Sequence, residues 1–214
     1  MDNIHVSEKL VLFLYFLPVF FFSLAIHEFS HAFWANKFGD PTAKNLGRLT
    51  LNPIKHLDFF GSIVMPILAF SSGYMLIGWA KPVPVDRRNF KNNFRDDAIV
   101  SAAGPISNFL FALFFLLLLF VYRNFLPGGS ILISKILISS IYFNIFLFVF
   151  NLLPIPPLDG SHILFDIFPN KYTAKYLNLG LYGSLILLFF IYSPLWGFFM
   201  KIVYFIVDLL FVFK

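Results

Sequence analysis

Cysteine is absent from this 214-residue chain. That excludes disulfide staples and thiolate metal ligands, and leaves no cue to the redox compartment. Charge is scarce: Asp, Glu, Lys and Arg make up 13% of the residues, against roughly a quarter in soluble domains. Internal repeats, low-complexity linkers and a soluble appendage are missing too. No small-x-small site follows the first apolar run, which only Lys9 precedes, so that run does not read as a cleaved secretory signal. The formal charge is +5, yet the cations fall mainly in loops between apolar segments. That is the positive-inside pattern of a membrane protein and gives no sign of a nucleic-acid partner.

Apolar residues fill the space that charge leaves. The chain is 59% hydrophobic and holds 32 Phe, and several windows longer than ~18 residues are almost uncharged. An all-α polytopic membrane protein follows, with five to six transmembrane helices in a single membrane-embedded domain over residues 1–214. The long apolar segments are 10–38, 98–122, 131–153, 177–192 and 195–213. The first three lie in a core over 10–165, and the last two add C-terminal helices across 177–213.

Residues 57–79 form a sixth, less regular segment. Asp58, Gly61, Pro66, Ser71-Ser72-Gly73 and Gly78 interrupt it, which suits a re-entrant or kinked hairpin. Charge distribution points the same way. Lys37, Lys44, Arg48 and Lys55 precede this segment, and Lys81, Arg87, Arg88, Lys91 and Arg95 follow it. Both basic loops are cytoplasmic only if the segment enters and leaves on one side. Lys171 and Lys175 mark a further cytoplasmic loop, and the predicted topology has an external N-terminus and a cytoplasmic Lys214.

Chemistry concentrates at His27-Glu28-Phe29-Ser30-His31, directly after the apolar run from Leu10 to Ile26. Two His four residues apart share one helix face and can reach one Zn²⁺. The Glu between them is placed to take a proton from a metal-activated water. Ionisable groups at that depth are costly and mark function. A third ligand is needed, and the candidate is Asp159, in Asn151-Leu-Leu-Pro154-Ile-Pro156-Pro157-Leu158-Asp159-Gly160. Its prolines break the preceding helix, and broken backbone at membrane depth must line a polar or protein-buried site. His31 and Asp159 meet only if an even number of crossings separates them. The hairpin reading of residues 57–79 supplies that.

Taken together, these residues resemble the site-2 protease family of intramembrane zinc metalloproteases. The first motif matches its H-E-x-x-H, and Asn151–Gly160 matches its N-x-x-P-x-P-x-L-D-G. Ala102-Ala103-Gly104-Pro105-Ile106-Ser107-Asn108 resembles the A-A-G-P-x-x-N opening of a core helix. Gly78–Val85 and Asn52–Asp58 are similar to stretches of small bacterial members. The match runs from about residue 20 to residue 165. It implies His27, His31 and Asp159 as ligands of one Zn²⁺ per chain, and Glu28 as general base and acid. It implies a site within the plasma membrane towards the cytoplasm. The implied substrate is a transmembrane protein, cut after an earlier protease has removed its external part. No PDZ-like insertion or nucleotide-binding CBS domain is evident, unlike in larger members.

Asn108 and Asn151 are candidates for assisting the oxyanion or gripping the substrate backbone, with interhelical hydrogen bonding as the structural alternative. His56 and Asp58 read as hairpin anchors, and Asp159 could also cap a following helix. The rival functions are a metal transporter and a catalytically inactive metal-binding relative. A transporter needs further polar groups across the bilayer, which 177–213 does not offer. An inactive binder has no need of Glu28.

Overall fold

The computed structural model describes residues 6–72, 78–126 and 129–212, with backbone only for 6–8. Helix α1, Val6–Phe38, runs 33 residues with Pro18 inside it. The short α2, Thr42–Asn45, and a 3-10 turn, Pro53–His56, follow. A π-helical stretch, Phe59–Val64, continues into α3, Met65–Ser71. After an extended strap and a 3-10 turn at Arg87–Asn89 come α4, Asn93–Phe125, and α5, Ile131–Asn151. Then come α6, Asp159–Ile167; α7, Lys171–Leu177; α8, Leu181–Tyr192; and α9, Pro194–Val212.

Among the described residues, four helices (α1, α4, α5 and α9) are long and apolar enough to cross a membrane. A fifth span arises if α7 and α8, bent by 77°, form one broken crossing. The single helix expected over 177–192 is therefore corrected. Gly180 takes φ 55° and separates the two helices, and the 12 residues of α8 reach only about 18 Å. Residues 98–122 also understate α4, whose 33 residues extend about 50 Å against a hydrocarbon core of ~30 Å. Its first turns, with Asp96 and Asp97, are helical without being apolar. Ala102–Asn108 lies inside α4 and does not open it.

Residues 57–79 fold back on themselves. Leu57 and Ala80 pair in an isolated antiparallel bridge, and the Trp79 N–H donates to the Gly61 carbonyl. Entrance and exit thus lie side by side. Residues 73–77, including Gly73, lie outside the described set, as do His5 and Lys214. The anchors are local. Asp58 caps the π-helical stretch through the Gly61 N–H at 2.7 Å. Buried His56 bonds the Thr50 carbonyl at 2.8 Å, and its own carbonyl accepts from the Lys81 N–H.

Helix α4 is the hub, packing against α1, α5 and α6. One core joins Ala112, Phe115 and Leu119 of α4 to Ile141 and Ile145 of α5 and Phe199, Val203 and Val207 of α9. A second joins Phe16, Phe20 and Leu24 of α1 to Phe143 and Leu147 of α5 and Ala80 of the strap. Lipid tails are as apolar as these side chains, so close packing and buried polar bonds hold the helices together.

Candidate metal centre

Helical spacing decides which face of α1 meets the protein. Phe16, Phe20, Ser23, Leu24, His27, Glu28, His31, Ala32 and Ala35 are all buried, at steps of three or four residues. The stripe is apolar near the start of the helix, polar at His27, Glu28 and His31, and apolar again at Ala32 and Ala35. Helix α4 runs antiparallel beside it and answers turn by turn. The Val100 carbonyl lies 2.7 Å from His31 Nδ1, and Asn108 Oδ1 lies 2.7 Å from His27 Nδ1. Between them stands Gly104. A Cβ there would come within 2.6 Å of His31 Cε1 and 2.7 Å of His27 Cε1. Only glycine lets α4 approach the two imidazoles this closely.

Asp159 arrives from the broken segment after α5. It is the first residue of α6, and the cap position belongs to Leu158, which makes no side-chain cap bond. The capping alternative for Asp159 therefore drops out. Gly160 is needed beside it, because a Cβ would strike the backbone of Leu152 and Leu153. The carboxylate sits 3.2 Å from His27 Nε2 and 3.4 Å from His31 Nε2, and the two Nε2 atoms are 3.0 Å apart. His27, His31 and Asp159 form the group of potential metal ligands found among the described residues.

Hydrogen assignment shows what this triangle can hold. A carbonyl or amide oxygen can only accept, so each Nδ1 must carry the proton. Each neutral imidazole then presents a bare Nε2 lone pair to the other. Asp159 Oδ2 is buried without a hydrogen-bond partner. With both imidazoles neutral, two lone pairs and a carboxylate converge on one point, an arrangement that a bound cation balances. Separations of 3.0–3.4 Å suit tetrahedral zinc, whose ligand atoms at ~2.05 Å lie about 3.3 Å apart. The residues present fit the ion.

Glu28 is buried beside the triangle. Its Oε2 accepts the Val83 N–H of the strap at 2.7 Å. The strap is tied down elsewhere as well: an Arg48 Nη donates to the Lys81 carbonyl at 2.7 Å, and the Asp86 N–H donates to Asp40 at 2.8 Å. Asp40 also accepts from Asn89, and it bonds Thr42 through both its N–H and its hydroxyl. Burial alone would raise the Asp40 pKa, but these donors outweigh it and hold the pKa below the ordinary value. Arg87 then pairs with Asp97 of α4 at 3.0 Å and with Asp166 of α6.

Asn108 is brought to the centre, and both its N–H groups are committed, to the Ser23 carbonyl and to Asn144. Asn151 stands at the C-terminal end of α5. Its amide donates back to the Leu147 carbonyl of its own helix. The motifs gave no notice of Arg87 or Asn144, and Gly78–Val85 included Val83 without giving it a role. Asn144 left a trace, as the one amide within the apolar stretch 141–150.

The model of peptidase family M50 matches residues 15–126 and 128–191. The chain belongs to peptidase family M50. This is the site-2 protease family that the motifs resemble. Among its relatives, YwhC of Bacillus subtilis (strain 168), a zinc metalloprotease by name, is 44% identical over 177 residues, covering 81% of this chain and 78% of YwhC. Rip2 of Mycolicibacterium smegmatis, also named as a zinc metalloprotease, is 34% identical over 74% of this chain and 59% of its own length. Rip2 of Mycobacterium tuberculosis (strain H37Rv), named likewise, is 32% identical over 87% of this chain and 70% of its own length. No solved structure matches the chain.

Proposed function

We propose that this M50 member is an intramembrane zinc endopeptidase that hydrolyses peptide bonds within or near transmembrane segments of other proteins. One observation carries the reading. Two bare Nε2 atoms and a carboxylate converge beside a buried Glu, at a place only glycine permits, inside helices long enough to cross a bilayer. His27, His31 and Asp159 would hold one Zn²⁺ per chain, which when bound would supply Lewis-acid activation of water and of the scissile carbonyl. Glu28 takes the proton of the attacking water and returns it to the leaving amine. The Val83 N–H holds Oε2 and leaves the other carboxylate oxygen for that proton. Asn108 serves the centre through His27, since its own donors are committed. Asn151, bonded within α5, is the weaker candidate for contact with substrate.

A substrate helix must unwind before its carbonyls can be attacked, because helical backbone groups are already bonded. The strap offers an extended partner for the unwound stretch. Its N–H groups are few, since Pro82 and Pro84 have none and Val83 spends its own on Glu28. The carbonyls of Pro82 and Pro84 accept no bond from the described residues. Substrate N–H groups are therefore the expected complement. The positive-inside pattern supports a strap and metal site that face the cytoplasm, and a plasma-membrane location belongs to this proposal.

The test is cleavage of a transmembrane reporter in detergent by wild type and by Glu28→Gln, with bound zinc measured in both. Cleavage lost while zinc stays is the expected result. Cleavage that persists in Glu28→Gln rejects the mechanism, and absence of zinc from both rejects the ligand set.

A further inference from the structure

Asn144 sits in the middle of α5, fully buried together with Ser23, Asn108 and Ser140. Its amide donates one hydrogen to Ser23 Oγ at 3.0 Å and the other to the Ser140 carbonyl at 2.9 Å. Only its Oδ1 then remains, and this accepts from Asn108 Nδ2 at 3.1 Å. Asn108 gives its second hydrogen to the Ser23 carbonyl at 3.1 Å. Its own Oδ1 is left facing His27 Nδ1 at 2.7 Å.

We infer that Asn144 is a positioning residue for the metal centre: through Asn108 it locks His27 in the tautomer that carries its proton on Nδ1 and leaves Nε2 bare. The inference rests on the metal-centre reading above.

An isolated Asn amide can exchange its oxygen and nitrogen by a half-turn with almost no change in shape. Were Asn108 free to turn, His27 could lose the Nδ1 proton to Nε2, and an Nε2–H cannot ligate a metal. The chain of bonds forbids that turn. It would set the Asn108 oxygen against the Ser23 carbonyl and against Asn144 Oδ1, facing acceptors with an acceptor. Turning Asn144 as well moves the conflict to the Ser140 carbonyl. The two ends of the relay are backbone carbonyls, which have no second polarity. A direction imposed by α5 and by the backbone of α1 is thus carried over two side-chain amides to a ligand nitrogen. Partners that orient metal-binding His residues typically change metal affinity by 10- to 100-fold when lost.

The experiment uses full-length protein in detergent with ¹⁵N-labelled His, stripped of zinc. Imidazole nitrogen shifts read the His27 tautomer, and zinc titration reads the affinity. In the wild type, His27 Nδ1 carries its proton whether or not Nε2 shares one with His31. Asn144→Leu, close in volume but without the amide, gives a mixed His27 tautomer and roughly tenfold weaker zinc binding. In an Asn108→Asp background, where an oxygen faces His27 whichever way the side chain turns, Asn144→Leu carries no further penalty. Asn144→Ala, which leaves room for water, serves if the Leu variant does not fold.

A wild-type His27 without a protonated Nδ1 overturns the inference. So does an Asn144 variant with unchanged tautomer and affinity. A penalty that persists in the Asn108→Asp background assigns Asn144 to packing alone and overturns it as well. Zinc failing to bind wild type sinks the metal-centre reading instead, and the tautomer measurement on zinc-free protein still decides the relay.

Discussion

Gly104 shows how much chemistry one missing side chain can carry. A Cβ at this position would collide with both imidazoles of the His27–His31 pair. Gly104→Ala is therefore expected to leave the helices assembled and to reduce bound zinc to well below one per chain, as measured by metal analysis of purified protein. Zinc retained at the wild-type level would mean that α4 can retreat without disturbing the ligands. Asp159→Asn is expected to weaken zinc binding by at least tenfold, because a neutral amide replaces the one anionic ligand. The same titration checks it.

The motifs made the ligands legible at this scale but not the partners of their other nitrogens. Asn108 is visible in the sequence as an amide four residues after Gly104. Whether its oxygen or its nitrogen faces the metal site depends on Ser23 and Asn144, which reach it from other helices. Reading it as an oxyanion donor assumed a free N–H, and the structure shows both in use.

At the scale of elements, the strap between the hairpin and α4 is held by hydrogen bonds and ion pairs. It lies over Glu28 and is pinned at its far end by Arg87, between Asp97 and Asp166. Removing the guanidinium leaves the buried Asp97–Asp166 pair without its cation, at a cost on the order of 3 kcal/mol. Arg87→Ala is expected to lower thermal stability in detergent and to cut reporter cleavage while zinc stays bound. Unchanged cleavage would free the strap from any role in placing Glu28.

The same cluster predicts a pH dependence. Burial, followed by the hydrogen bond and negative charge of Asp97, raises the Asp166 pKa to about 8, against the opposing pull of Arg87. His162 Nδ1 also faces Asp97, at 3.6 Å. A raised carboxyl pKa means that the folded state holds a proton which the unfolded chain gives up near its ordinary ~3.9. The stabilisation is complete below that value, declines as pH rises, and is gone above about 8. Melting temperatures between pH ~6 and ~9 should fall in the wild type, and Asp166→Asn should flatten the fall. An equal slope in both would remove Asp166 as the cause. None of this was legible in sequence, because Asp97 and Asp166 lie far apart along the chain and meet only through the docking of α6 on α4.

Across the whole molecule, the positive-inside pattern predicts that the candidate metal centre lies towards the cytoplasm. Because the chain has no cysteine, single introduced thiols report sidedness without interference. Arg87→Cys and Lys175→Cys should be labelled from the cytoplasm only, and Ser193→Cys from the opposite side only. Labelling of Arg87→Cys from outside would overturn the assigned topology and the cytoplasmic placement of the site.

The sequence by itself determined that the chain is helical and membrane-embedded, because apolar run length must match bilayer thickness. It singled out the candidate ligands His27, His31 and Asp159, which the fold brings together, because a metal needs particular donors and helical periodicity puts two of them on one face. It also determined the hairpin, because like charge on both flanks requires an even crossing. The tertiary structure alone decided where α7 and α8 break, which nitrogen of each His faces inward, and how the strap holds Glu28. Those outcomes depend on distances between helices and on the direction of hydrogen bonds. A linear pattern of residue types records neither.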